Sequence, residues 1–276
     1  MKIALVIFIT LALAGCALLS LHMGVIPVPW RALLTDWQDG REHYYVLMEY
    51  RLPRLLLALF VGAALAVAGV LVQGIVRNPL ASPDILGINH AASLASVGAL
   101  LLMPSLSVMV LPLLAFAGGM AMLAKTPQPM KLALTGVALS ACWASLTDYL
   151  MLLHPQDVNS ALLWLTGSLW GRDWHFVKIA VPLLILFLPL SLRFCRDLDL
   201  LALGDARAAT LGVSVQRTRF QGLMLAVAMT ATGVAVCGPI SFIGLVVPHM
   251  VRRIAGGRHR WLMPVSALTG ALLLVI

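Results

Sequence analysis

Apolar residues run through this chain in long blocks, broken by short basic clusters and by proline-containing stretches. A helix rising 1.5 Å per residue needs about 20 apolar residues, in a range of roughly 17–25, to cross a bilayer core. Nine blocks are candidates: Ile3–Leu21, Leu55–Val76, Ile85–Met103, Leu106–Ala124, Leu132–Leu153, Phe176–Leu192, Phe220–Val236, Gly238–Val251 and Trp261–Ile276. Several lie near or below the lower limit, so neighbouring protein or local bilayer thinning must cover their ends. Gly238–Val251 is the shortest and holds Pro239 and Pro248. The pattern predicts an all-α, polytopic membrane protein, with residues 1–276 forming one transmembrane domain.

Three segments between the blocks have a character of their own. Residues 27–50 form a polar loop. Residues 155–170 begin at a proline and carry Val158, Ala161, Leu162, Leu165 and Leu169 at helical spacing, which predicts a short interfacial helix. Residues 193–219 form the longest basic loop. At the start of the chain, Lys2 and the apolar run after it imitate a signal peptide, and Leu13-Ala14-Gly15-Cys16 imitates a lipoprotein cleavage box. The block Ile3–Leu21 is read as the first span, with Cys16 a small residue inside it.

Composition sharpens the class. The chain is 61% hydrophobic and 11% charged, with mean hydropathy +0.97, so it has less than half the charge of an ordinary soluble domain. Such a surface excludes a soluble globule, and the same numbers exclude disordered, collagen-like and coiled-coil chains. The net charge of +8 reflects topology, not nucleic acid. With a cytoplasmic N-terminus and nine crossings, thirteen of the nineteen basic residues fall inside against four acidic ones. The six basic residues left outside are matched by six acidic ones. Had Gly238–Val251 failed to cross, the cluster from Arg252 to Arg260 would be stranded outside, so the rule favours a crossing there. Trp30, Trp37, Trp164, Trp170 and Trp174 flank the outer ends, where indoles favour the headgroup layer.

No chemistry-bearing motif assembles. HExxH, GxSxG, Walker A and GxGxxG patterns are absent, the seven histidines are scattered, and the four cysteines show no zinc or disulfide spacing. No catalytic residue, metal site or bound cofactor is expected. Asp148 is the one carboxylate deep in a predicted span, either solvated near the outer end of its helix or lining a pathway. The stretch Leu201–Val213 reads as a short amphipathic helix bounded by Gly204 and Gly212, lying on the membrane or entering a partner's groove. The stretch Gly238–Arg252 combines Ser241, Gly244, Pro248 and His249. There Pro248 frees a backbone carbonyl that a neighbour must satisfy, and His249 reads as a capping or interface residue. The run Arg77–Gly87, with Asn78 and two prolines, breaks the chain on the inner side. Such breaks fit transporters and, taken alone, also a passive channel; an intramembrane hydrolase lacks any assembled nucleophile.

Arg51-Leu-Pro-Arg54, the Arg77–Gly87 run, Leu163–Gly171, Leu201–Val213 and Gly238–Arg252 occur in that order, and together they resemble the FecCD permease family. These are membrane subunits of ABC importers for iron–siderophore complexes, haem and vitamin B12. The resemblance covers essentially the whole chain. It implies a BtuC-like fold of ten helices, about nine of them here, in a bacterial inner membrane. The implied cargo is a ferric chelate, ferric dicitrate or a siderophore, with haem or vitamin B12 as the alternative. The implied partners are a second permease subunit, identical or different, two cytoplasmic ATPases that bind the ATP, a periplasmic substrate-binding protein and membrane lipid, with no nucleic acid. Arg51 and Arg54 match outer arginines that meet acidic residues of the binding protein. Leu201–Val213, with Gly204, Asp205, Arg207, Ala208, Leu211 and Gly212, matches the helix that couples to the ATPase. Asn78, Asp148, Ser241, Pro248 and His249 are the pathway or gating candidates. Two departures stand out. The chain stops at Ile276 inside an apolar run, before an expected tenth helix, and Leu106–Ala124 is a few residues shorter than in the family.

Overall fold

The computed structural model describes the chain except for residues 1, 85, 104, 106–109, 111–112, 119–128 and 157, and the side chains of 129–134, 158 and 160. Among the described residues it is helical, with no strand. Helix α1 (Lys2–His22) is followed by the short α2 (Ala32–Thr35). A π-helical turn, Val46–Arg51, runs without a break into α3 (Leu52–Val76). Then come α4 (Ile88–Leu102), α5 (113–118), α6 (Pro129–Leu153) and α7 (Val158–Leu165). Helix α8 (Trp174–Ser191) continues through a 3₁₀ turn into α9 (Cys195–Leu201). The chain goes on as α10 (Asp205–Thr210), α11 (Val215–Cys237), α12 (Ile243–Ala255) and α13 (His259–Val275). Among the described residues five stretches are long and apolar enough to cross a bilayer: α1, Val46–Val76, Thr135–Leu153, Trp174–Leu201 and α11. The helices α4 and α13 are shorter apolar ones.

The core is built around α3, which is buried on nearly every side and packed by α8, α11, α12 and α13. Its sequence explains this, because alanine, glycine and valine let neighbouring backbones come close. Lipid tails are as apolar as leucine, so helix association in a membrane rests on such close van der Waals contact. Gly62 and Gly69, seven residues apart, lie on one face of α3. A Cβ on Gly62 would lie 2.9 Å from the carbonyl carbon of Gly270 on α13, and one on Gly69 would lie 2.7 Å from Cα of Gly244 on α12. In contrast, α1 turns Ile3, Ile7, Phe8, Leu11 and Leu18 outward, as a lipid-facing helix should.

The structure moves several predicted boundaries. The second span starts at Val46, not Leu55, because Val46, Leu47 and Met48 extend its apolar face and Leu47 is fully buried. The polar stretch 27–50 is correspondingly shorter as a loop and contains α2. Within 155–170 the helical part is α7. The segment predicted as Gly238–Val251 is non-helical over 238–242 and helical only from Ile243 to Ala255. At 13 residues α12 rises about 20 Å, less than the thickness of an apolar core. The stretch 193–219 is mostly helical, its irregular parts confined to 202–204 and 211–214. Of the five tryptophans expected in the outer headgroup layer, Trp164 is instead buried in the core beside Ala161 and Val234. The four cysteines are free thiols. Most of the predicted block Leu106–Ala124 lies outside the described residues.

Candidate functional site

Along the helices the candidate residues fall into three zones: a rim on the side that the basic clusters predict to be outer, a central break, and a surface on the side they predict to be inner. At the outer rim, Arg51 and Arg54 sit at the junction of the π turn and α3, where Pro53 occupies the first turn and needs no N–H partner. The two arginines have different surroundings. The half-buried guanidinium of Arg51 donates to the carbonyl oxygens of Leu21 and Ile26, and so caps an orphan carbonyl in the last turn of α1. Arg54 is exposed. Around them His22 stacks on Trp30 at 4.2 Å, and Trp174 Nε1 donates to the Met48 carbonyl at 2.8 Å. In the same loop His43 Nδ1 lies 2.9 Å from Asp36; hydrogen bonds from His43 and then Thr35 hold the Asp36 carboxyl below the usual carboxylate range.

The central zone joins three irregular segments. Helix α3 ends at Arg77 in the left-handed region (φ 56°), with Asn78 N–H donating to the Gln73 carbonyl, and Pro79 prevents the helix from resuming. Helix α11 ends at Gly238 (φ 74°), which packs on Gly167 (φ 64°), while Ser168 N–H donates to the Cys237 carbonyl at 2.8 Å. From there the non-helical stretch reaches Phe242, itself left-handed at φ 71°. Phe242 N–H donates to the Asp84 carboxylate at 3.3 Å, and Asn89 Nδ2 donates to the other oxygen of that carboxylate. Non-helical backbone at this depth is tolerated where protein surrounds it, and here each break supplies polar partners to another. The carbonyl freed by Pro248 is that of Gly244, four residues back, and it faces Gly69 on α3. A Cα–H···O contact there offsets part of the lost hydrogen bond. The Gln73 side chain completes the joint: Nε2 donates to the Leu245 carbonyl and Oε1 accepts from Arg252, both at 3.3 Å.

The five pathway candidates do not form one cluster. Asn78 is exposed and its side chain accepts from Leu80 N–H at 3.0 Å, a local turn. Ser241 is exposed within the break, Pro248 is buried in α12 and His249 is half-buried. Asp148 is on an exposed face of α6, a helix that packs mainly on α4. Asp84, Gln73 and the Gly62/Gly69 face were not singled out from the sequence, although Gln73 is the one polar side chain in Leu55–Val76. Replacing Asp84 with alanine removes the acceptor for Phe242 N–H. The expected result is a loss of about 1–2 kcal/mol and faster amide exchange at residues 240–243. Asp84→Asn, which keeps one acceptor oxygen, should fall between; unchanged exchange in the alanine variant would contradict the link.

On the inner surface the amphipathic stretch is not one helix over Leu201–Val213. Gly204 (φ 103°) and Gly212 (φ 87°) both adopt conformations other residues avoid, so helix α10 is confined to Asp205–Thr210. Leu201 and Val213 are buried anchors on either side, and Ala208 packs inward. Arg207, Leu211 and Gly212 face outward, with Leu203 and Leu211 each 52% exposed. Asp205 does not face a partner freely: its carboxylate holds Arg219 at 2.9 Å and Arg77 at 3.2 Å, tying α10 to the ends of α11 and α3. The turn thus presents two leucines and an arginine on a base braced against two spans.

Among the described residues no group of histidine, cysteine or carboxylate side chains could hold a metal ion. The sequence model of the FecCD transport family matches residues 10–276. The Fe(3+) dicitrate transport system permease protein FecD of Escherichia coli (strain K12) is 88% identical, over 100% of this chain and 89% of the relative. The Fe(3+)-citrate import system permease protein YfmE of Bacillus subtilis (strain 168) is 42% identical, over 98% of this chain and 84% of the relative. A solved metal-chelate type ABC transporter in an inward-facing conformation superposes with a TM-score of 0.87 at 27% identity, covering 100% of this chain and 88% of that one.

Proposed function

The chain belongs to the FecCD transport family, and from that premise we propose that it is the membrane-embedded permease subunit of a binding-protein-dependent ABC importer for ferric citrate. The observation that carries the reading is the 88% identity, across the whole chain, to a permease named for Fe(3+) dicitrate. The 42% identical relative is also named for ferric citrate. The chain is a transport subunit; ATP hydrolysis belongs to a separate partner.

In this reading the permease pairs with a second permease subunit and sits on two ATPases, with its N-terminus in the cytoplasm. Closure of the ATPases on ATP pushes α10 and the exposed Leu203 and Leu211. Because Asp205 bridges α10 to Arg77 and Arg219, that push is delivered to the inner ends of α3 and α11. The end of α3 at Arg77 leads into residues 78–87, whose Asp84 accepts from Phe242 N–H, so the push reaches the non-helical 238–242 stretch by way of α3; on α11 that stretch follows the opposite end, at Cys237. Alternation between outward and inward access follows as a population shift between two packings.

At the outer rim the proposal separates the two arginines. Arg54 meets an acidic residue of the loaded binding protein, and Arg51 holds the loop that presents it. Arg54→Glu should weaken binding-protein association by about tenfold or more while the chain accumulates normally. Arg51→Gln should expose residues 22–30 to limited proteolysis. Unchanged association in the Arg54→Glu variant, measured with the assembled importer in nanodiscs, would remove the docking assignment.

A further inference from the structure

Where α9 meets the start of α13, the surface opens into a cavity of about 530 Å³. Its floor and walls are apolar, from Leu192, Leu200 and Pro264. Its rim carries Arg193, Arg196 and Arg260, all exposed and none holding an ion pair or a side-chain hydrogen bond among the described residues. Asp199 also lines the cavity, but its Oδ1 is committed to His259, accepting from the backbone N–H at 3.0 Å and lying 2.6 Å from Nδ1. Three unpaired cations therefore surround an apolar pocket whose one carboxylate is already engaged.

Depth fixes the chemistry that can reach it. Helix α8 has 18 residues from Trp174 to Ser191, a rise of about 27 Å, close to the thickness of a bilayer core. Arg193 and Arg196 follow directly, so they stand at the headgroup level of the leaflet opposite Trp174. Arg260 and Pro264 belong to the first turns of α13, with half-buried Trp261 beside them, and the cavity brings them to the same level. A soluble anion would leave the apolar walls unfilled, and an acidic protein surface would not thread between helices at that depth. Acyl chains fill such walls while a phosphate meets the guanidinium groups. Basic pockets between transmembrane helices suit doubly charged headgroups, and arginine matches phosphate geometry.

We infer that this cavity is a binding site for an anionic phospholipid of the cardiolipin class. The depth of the cavity follows from helix length alone, and the site stands apart from the transported substrate. Titration of the purified importer with cardiolipin, followed by native mass spectrometry, tests it. The native complex should retain cardiolipin and not phosphatidylcholine, and millimolar inorganic phosphate should leave the bound lipid in place. The triple variant Arg193→Gln, Arg196→Gln, Arg260→Gln should bind about a hundredfold more weakly, each basic residue near an anionic headgroup counting for about fivefold. The triple lysine variant, which keeps the charges, should stay within about tenfold of native. If the glutamine triple does not accumulate, single Arg260→Gln should weaken binding about fivefold. Equal retention in the glutamine variants would overturn the proposal. So would displacement by phosphate, which would mark a free-anion site, or loss of the ATPase with lipid retention unchanged, which would mark a protein contact.

Discussion

Leucine at position 69 is expected to leave almost no folded chain in the membrane. Gly69 is where the carbonyl freed by Pro248 meets the central helix, and a Cβ there would lie 2.7 Å from Cα of Gly244. Every atom in the way is backbone, so no side chain can rotate aside and α12 would have to leave α3. Overpacking a tight interface costs about 1–3 kcal/mol, and more where backbones must separate. That is a large share of a stability of about 5–15 kcal/mol. The measurement is the monodisperse, membrane-extracted yield of a fluorescent fusion of the chain. Gly15→Leu is the control, because nothing lies within 4 Å of a Cβ at that position; it should accumulate like the native chain. Normal yield from Gly69→Leu would show that α3 and α12 do not pack as described.

The second large effect lies on the inner surface. Leu211→Asp should cut substrate-stimulated ATP hydrolysis in the reconstituted importer by roughly 30-fold, the size of an interface hot spot of about 2 kcal/mol. Leu211 is 52% exposed and follows α10, so the substitution disturbs no buried packing and the permease itself should assemble. Asp205→Ala should act differently. It releases the brace to Arg219 and Arg77 and should lower coupling while leaving the ATPase attached. Leu211→Asp complexes that keep both the ATPase and full stimulation would exclude α10 and its flanking leucines as the coupling surface.

Much of the architecture was legible in the apolar blocks, because crossing a bilayer demands length and apolarity that the sequence displays directly. The first span, the fifth and the seventh correspond closely to α1, α6 and α11. The short helix within 155–170 was legible from its 3.6-residue spacing. Less legible was anything decided by close approach of distant segments. Gly62 and Gly69 look like two of many glycines until Gly270 and Gly244 are brought opposite them. Asp84 reads as a loop carboxylate until Phe242 N–H, 158 residues later, turns towards it. Arg51 and Arg54 share a motif, yet only the loop after α1 reveals that one is capping carbonyls and the other is free of the loop. Trp164 illustrates the opposite error: indoles near helix ends favour headgroups on average, but this one is covered by α11 and holds the Arg172 guanidinium over its ring at 4.5 Å. Glycine punctuation was more reliable, since Gly204 and Gly212 need conformations that other residues avoid, and both stop α10.

Uptake of radiolabelled ferric citrate, in cells lacking their own ferric citrate permease but keeping its partner subunits, tests the central claim most directly. The chain should restore uptake that stops when ATP is depleted and that is lost in the Leu211→Asp variant. Absence of ferric citrate uptake with the chain correctly inserted, or uptake that continues unchanged after ATP depletion, would contradict it.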